Sequence, residues 1–264
     1  IVARNILFSS LEHNPRLTTF LHGHKTRVTS IAVSPDNQLL ASGDKDGHIL
    51  LWNLDRYKPL GNPFGGYKTS IRSMTFSTDG KKLASVDNSG KTMFWNVITG
   101  QPLAEIPIDH DEDIRSLAFS RDGEKFVTGT NDGKIILWNI ESRQSIGELL
   151  SGDKAAILSM VFSSDDHTIT STSDNGRVIV WDVATREQTD NFFVEQKVDT
   201  ELKRDLLSII VSPNGQTIAT INKEFTDKNT YSCNIKLWDV ATQRPKGSPL
   251  VKQNDDVLRI TFSW

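Results

Sequence analysis

The chain has 264 residues, 37% hydrophobic and 24% charged, with a formal net charge of −3. Balanced charge without a long basic run argues against bulk attraction to nucleic acid, and no apolar stretch approaches the ~20 residues that cross a bilayer. The single cysteine, Cys233, cannot close an internal disulfide and no Asn-X-Ser/Thr sequon occurs, so a reducing, cytoplasmic setting fits.

The opening stretch "IVARNILFSSLEHNP" places Ala3, Ile6, Leu7 and Leu11 at helical spacing and stops at Asn14-Pro15. Residues 1–15 are therefore expected to form a short helical lead-in. "RLTTFL", from Arg16, reads as a lone strand. After it a pattern repeats: Trp52, Trp95, Trp138 and Trp181 follow one another at intervals of 43 residues, and Trp238 comes 57 later. In phase with them run the turns "VSPDN" at Val33, "FSTDG" at Phe76, "FSRDG" at Phe119, "FSSDD" at Phe162 and "VSPNG" at Val211.

The third unit shows what each repeat builds. "IRSLAFS", "EKFVTGT", "KIILWNI" and "SIGELL" are four runs rich in β-branched and aromatic residues, separated by turn formers. Asn131-Asp132-Gly133 is a hairpin signal, because these residues tolerate the positive φ of a two-residue turn. The unit reads as an antiparallel four-stranded meander. Its runs are nearly continuous in apolar residues, which suggests sheets covered on both faces. Such sheets at a period near 43 make an all-β propeller, so residues 16–264 form one domain where length alone suggests two. The array holds five complete blades plus parts of another.

Departures from the period carry information of their own. From Phe162 to Val211 the spacing exceeds the period by 6, within "DNFFVEQKVDTELKRDLL"; from Val211 to Trp238 it exceeds the regular 19 by 8, within "NKEFTDKNTYSCN". One insertion follows a fourth strand and the other a second strand. Both are thus expected as extended loops on the same face of the fifth blade, carrying Glu195, Lys197, Lys203, Arg204, Phe225, Lys228 and Tyr231. Aromatic and basic residues on loops over a rigid frame suit a protein or peptide partner. "VLRITFSW" supplies the first strand of a further unit, and the open edges it leaves would invite self-association.

With "HGH" at His22, "ASGDKDG" at Ala41 and "LWNL" at Leu51, in phase with later units, the chain resembles the Trp-Asp repeat family across residues 17–264. The resemblance implies a hydrogen-bonded chain in each blade, from His through Ser or Thr to Trp, with Asp holding the His. Here that means His24, Ser42, Asp46 and Trp52, and His110, Thr128, Asp132 and Trp138. Tyr67 and Asp153 at the His position, and Ser89 and Asn175 at the Asp position, look like drift. The stretch "SLEHNPRLTTFLHGHKTRVTSIAVSPDN" resembles the junction in bacterial multidomain signalling NTPases where a helix leads from a switch domain into a propeller. This implies a non-catalytic sensor in a larger regulator. A freestanding scaffold is the alternative, and a propeller hydrolase is more distant.

Other chemistry is weaker. The nucleophile and base types at His24, Ser42 and Asp46 recur periodically, as a catalytic set does not. "SGKT", from Ser89, lacks the preceding Gly and the following helix of a phosphate loop. The six histidines offer no metal spacing, and the acidic run Asp109 to Asp113 reads as a solvated loop. No cofactor is implied.

Overall fold

The computed structural model describes residues 21–106, 113–150, 154–194, 204–227, 230–248, 252–253 and 262. The expected helical lead-in of residues 1–15, all of "RLTTFL" but its last residue and all of "VLRITFSW" but Phe262 lie outside the described residues.

Five antiparallel sheets follow one another along the chain. The first contains β1 (Val28–Val33), β2 (Leu39–Asp44), β3 (His48–Asn53) and β4 (Lys58–Gly65), and the second β5 (Ile71–Phe76), β6 (Lys82–Asp87), β7 (Thr92–Asn96) and β8 (Pro102–Ile106). The third contains β9 (Ile114–Phe119), β10 (Lys125–Thr130), β11 (Lys134–Asn139) and β12 (Ser145–Leu150); the fourth contains β13 (Ile157–Phe162), β14 (Thr168–Ser173), β15 (Arg177–Asp182) and β16 (Gln188–Phe193). The fifth contains β17 (Arg204–Val211), β18 (Thr217–Asp227), β19 (Thr230–Asp239) and β20 (Arg244–Pro245), with β21 (Lys252–Gln253) pairing a second stretch of β19. No helix occurs among the described residues.

The first strands stand next to one another, β1 beside β5, then β9, β13 and β17, so the sheets are blades around an axis. Ala32, Thr75, Ala118, Val161 and Val211 border an axial cavity of about 250 Å³. Burial follows the same radial order. The second strands are almost wholly buried, whereas β4 and β16 at the rim are largely exposed. Each apolar cluster joins neighbouring blades: Leu51 packs with Ile71 and Trp95, and Val127 with Ile157 and Trp181. Covering a blade on both faces is what makes its runs continuously apolar. Close approach also fixes residue size. A Cβ at Gly43 would come within 2.6 Å of the Ile71 side chain in the next blade.

Turn chemistry repeats with the blades. Ser34, Ser77, Ser120, Ser163 and Ser212 each donate a hydroxyl to an Asp or Asn two residues on, at 2.5 to 2.7 Å. The same oxygens accept the backbone N–H that opens the next strand. The residue after each Trp (Asn53, Asn96, Asn139, Asp182, Asp239) accepts backbone N–H groups of the turn that follows. This is the Asx-turn device, and it explains why the tryptophans are followed by Asn or Asp. Between second and third strands, Gly47, Gly90, Gly133 and Gly176 have φ of 82 to 87°, the positive region where glycine carries no steric penalty.

Candidate functional site

In the first blade a buried polar chain crosses three segments. The Trp52 indole N–H donates to Ser42 Oγ at 2.7 Å, Ser42 Oγ lies 2.6 Å from His24 Nε2, and His24 Nδ1 lies 2.9 Å from Asp44 Oδ2. The network assigns the tautomer: Nδ1–H donates to the carboxylate, which leaves Nε2 to accept the serine proton. The carboxylate holding His24 belongs to Asp44, not to the expected Asp46, whose side chain is exposed. Asp44 ends β2 and is buried, while Asp46 sits in the turn; Asp44 Oδ1 also accepts the N–H groups of Asp46 and His48. Burial alone would raise the Asp44 pKa, but the bonds from His48 N–H, His24 and Asp46 N–H outweigh it and hold it below the usual carboxylate value.

The second blade keeps the chain with different chemistry. Tyr67 OH lies 2.7 Å from Ser85 Oγ and donates to Ser85 O at 2.9 Å, while Trp95 N–H donates to Ser85 Oγ at 2.7 Å. Tyr67 therefore replaces His as a working member of the network, where the sequence suggested drift. Burial pushes its phenol pKa up. Thr69 stands in for the imidazole N–H by donating to Asp87 Oδ2 at 2.8 Å. In the third blade Trp138 N–H donates to Thr128 Oγ1 at 3.0 Å. The Asp132 carboxylate accepts the Thr130 hydroxyl at 2.6 Å within the turn. His110 lies outside the described residues. Trp181 with Ser171, and Trp238 with Thr220, continue the series.

The His24, Ser42 and Asp44 distances match those of a hydrolytic triad, but the surroundings do not. Ser42 is 4% exposed and its oxygen is already the acceptor of Trp52, so no carbonyl carbon can approach it. "SGKT" is likewise a turn: Asp87 Oδ1 accepts Ser89 and Lys91 backbone N–H groups, and Thr92 is buried in β7. Among the described residues no cluster of three His, Cys, Asp or Glu could hold a metal.

The fifth blade departs from this regularity. Its second hairpin does not turn four residues after Thr220 but continues as paired strands, Asn222 opposite Asn234, Phe225 opposite Tyr231 and Asp227 opposite Thr230. The insertion expected as a loop is therefore a β-ribbon, because Phe225, Thr226, Thr230 and Tyr231 are residue types that favour strands. Arg204 begins β17 opposite Glu224, so three strands rise together. In a meander the second-to-third turn and the link to the next blade share one end, which gathers Arg204, Phe225 and Tyr231 at that end. Lys197, Lys203 and Lys228 lie outside the described residues.

The family model "WD domain, G-beta repeat" (WD40) matches residues 15–53, 58–96, 100–139 and 144–182. This is a WD40 repeat protein. The matches span more than half of the chain, each ends with the third strand of one of the first four blades, and membership points to a protein-interaction scaffold. Similar segments occur in "Small ribosomal subunit protein RACK1y" of Oryza sativa subsp. japonica, 53% identical over 47 residues, and in "Small ribosomal subunit protein RACK1z" of Arabidopsis thaliana, 51% identical over 47 residues. "ASTRA-associated protein 1" of Verticillium alfalfae is 38% identical over 50 residues. The matched segments cover 18% of this WD40 chain and 14% of each RACK1 protein, and 19% and 12% for the third. No helix among the described residues is long and apolar enough to cross a membrane.

Proposed function

We propose that this chain is a non-catalytic, cytoplasmic recognition platform that binds a protein or peptide at the end carrying the fifth-blade ribbon. The observation that carries the reading is the ribbon itself. Four blades turn back at Gly47, Gly90, Gly133 and Gly176, and the fifth extends as paired strands to Asp227 and Thr230. A projection from one blade of a rigid frame gives a partner something to distinguish. Lys197, Lys203, Arg204, Phe225, Lys228 and Tyr231 are the candidate contacts, with the aromatic residues as anchors and the cations at the rim.

The finer reading is a sensor within a larger bacterial regulator, supported by the likeness of the N-terminal junction to signalling NTPases. Partner occupancy would then bias an attached switch through differential affinity for its two states. The segment matches to RACK1 proteins, named as small-ribosomal-subunit proteins, favour the second reading of a scaffold for protein assembly. Both readings need the same face. Replacing residues 225–231 with an Asn-Gly turn, or deleting residues 197–203, should preserve the melting curve and reduce capture of partners by the intact protein. Full capture by both variants would move the site off this face.

A further inference from the structure

The opposite end of the axis carries a different feature. There each blade contributes the residue after its turn serine: Pro35, Thr78, Arg121, Ser164 and Pro213 border one cavity of about 280 Å³ with Phe119 and Val161. Four of these five equivalent positions are uncharged. The fifth is Arg121, which also borders an adjoining cavity of about 540 Å³ with Pro213, Asn214, Leu237, Lys246 and Phe262. Arg121 is exposed, and its guanidinium has no hydrogen-bond or ion-pair partner among the described residues.

The backbone around Arg121 is fixed from both sides. Its carbonyl accepts the Thr78 hydroxyl at 2.8 Å, and its N–H and that of Asp122 donate to the two carboxylate oxygens of Asp166 in the next blade, at 2.7 and 2.8 Å. The carboxylates nearby are occupied: Asp166 by those N–H groups, and Asp122 by the Ser120 hydroxyl, the Glu124 N–H and Lys125. The charge pattern also breaks at one place. The position two after the turn serine is Asp36, Asp79, Asp122 and Asp165 in four blades, and Asn214 in the blade facing the larger cavity. Asn214 spends Oδ1 on Ser212 and the Gln216 N–H, which leaves its amide N–H groups as donors. Lys246 adds a second cation on that wall, 3.1 Å from Asp239.

From this arrangement we propose that the axial mouth opposite the ribbon binds an acidic peptide segment, a carboxylate side chain beside an apolar one, with Arg121 as its anchor. The carboxylate takes the fork of the guanidinium, Asn214 supplies a second donor, and the apolar neighbour covers Pro213, Leu237 and Phe262. A neutral amide in place of the usual turn Asp removes one charge that would repel such a ligand beside the larger cavity.

Arrays of hexapeptides carrying Asp-Leu or Glu-Phe, beside arrays with Asn or Gln for the acid, would be probed with the labelled 264-residue chain, and binders measured by fluorescence anisotropy. Acidic peptides should bind at least about tenfold more tightly than their amide counterparts, as a charge-assisted bond requires. Arg121→Gln should abolish the preference, and Arg115→Gln, at the opposite end of β9, should retain it. Asn214→Asp should weaken acidic peptides selectively, and it should fold, because four blades already carry Asp at that position. Equal binding of the two arrays, or a preference that survives both Arg121→Gln and Asn214→Asp, overturns the proposal.

Discussion

Replacing Ser42 with Ala tests the polar chain at its centre. The hydroxyl both accepts from Trp52 and donates to His24, and Ser42 and Trp52 are 4% and 2% exposed, so water does not replace it. The His24 side chain is 6% exposed. Deleting one oxygen therefore leaves a buried donor and a buried acceptor unpaired, each costing ~1–3 kcal/mol, and the predicted loss is about 2–5 kcal/mol. Against a typical stability of ~5–15 kcal/mol this is a large fraction. The protein supplies its own controls. Thr occupies the same place in the third and fifth blades and accepts from Trp138 and Trp238, so Ser42→Thr should stay close to wild type. Ser171 accepts the Trp181 N–H without a His partner among the described residues, so Ser171→Ala should lose about half as much. Urea unfolding followed by tryptophan fluorescence gives all three values. Equal losses for Ser42→Ala and Ser171→Ala, or a Ser42→Thr variant as unstable as Ser42→Ala, would refute the reasoning.

Trp138→Ala removes a side chain only 6% exposed and packed with Phe119 and Phe126, and should cost ~3–5 kcal/mol in the same assay. Asp44→Ala should destabilise by more than 1 kcal/mol while Asp46→Ala stays within about 0.5, since only Asp44 holds His24 and the turn amides; the reverse order in urea melts would restore Asp46 to the network. Asp44 also predicts an acid limb. Its folded pKa lies below the usual carboxylate value, so its contribution is complete at neutral pH, declines as pH falls through the unfolded value, and is gone below the folded one. Asp44→Asn should therefore flatten the stability profile below about pH 4, read from urea midpoints across pH.

The architecture was legible in the sequence because a propeller is local in its design. A 43-residue period, a Gly after the second strand of four blades and a Ser-X-Asp or Ser-X-Asn turn after each first strand are short-range signals, and each is a short-range hydrogen bond or dihedral in the structure. Trp138 could be assigned to the frame from the sequence, because three other tryptophans share its phase. Site details were less legible for the opposite reason. Asp44 and Asp46 are two residues apart in a segment with two acids, and phase alone does not say which carboxylate faces an imidazole some twenty residues earlier. The signal that favours Asp44 is faint: Asp87 stands 43 residues after it, whereas Ser89 follows Asp46.

Composition and spacing thus determined by themselves that this chain builds repeated four-stranded blades, that its tryptophans are framework, and that the fifth unit is the irregular one. Tertiary structure alone decided that Tyr67 does the work of a histidine, because a phenol and an imidazole become equivalent only when their oxygen or nitrogen reaches the equivalent serine of its blade, Ser85 at 2.7 Å and Ser42 at 2.6 Å. It also decided that "NKEFTDKNTYSCN" is a ribbon, since pairing Phe225 with Tyr231 depends on the register inherited from the blade below. And it singled out Arg121, one arginine among many in the sequence, because convergence of five blades on one axis brings together residues from five separate turns, a proximity that no local pattern encodes.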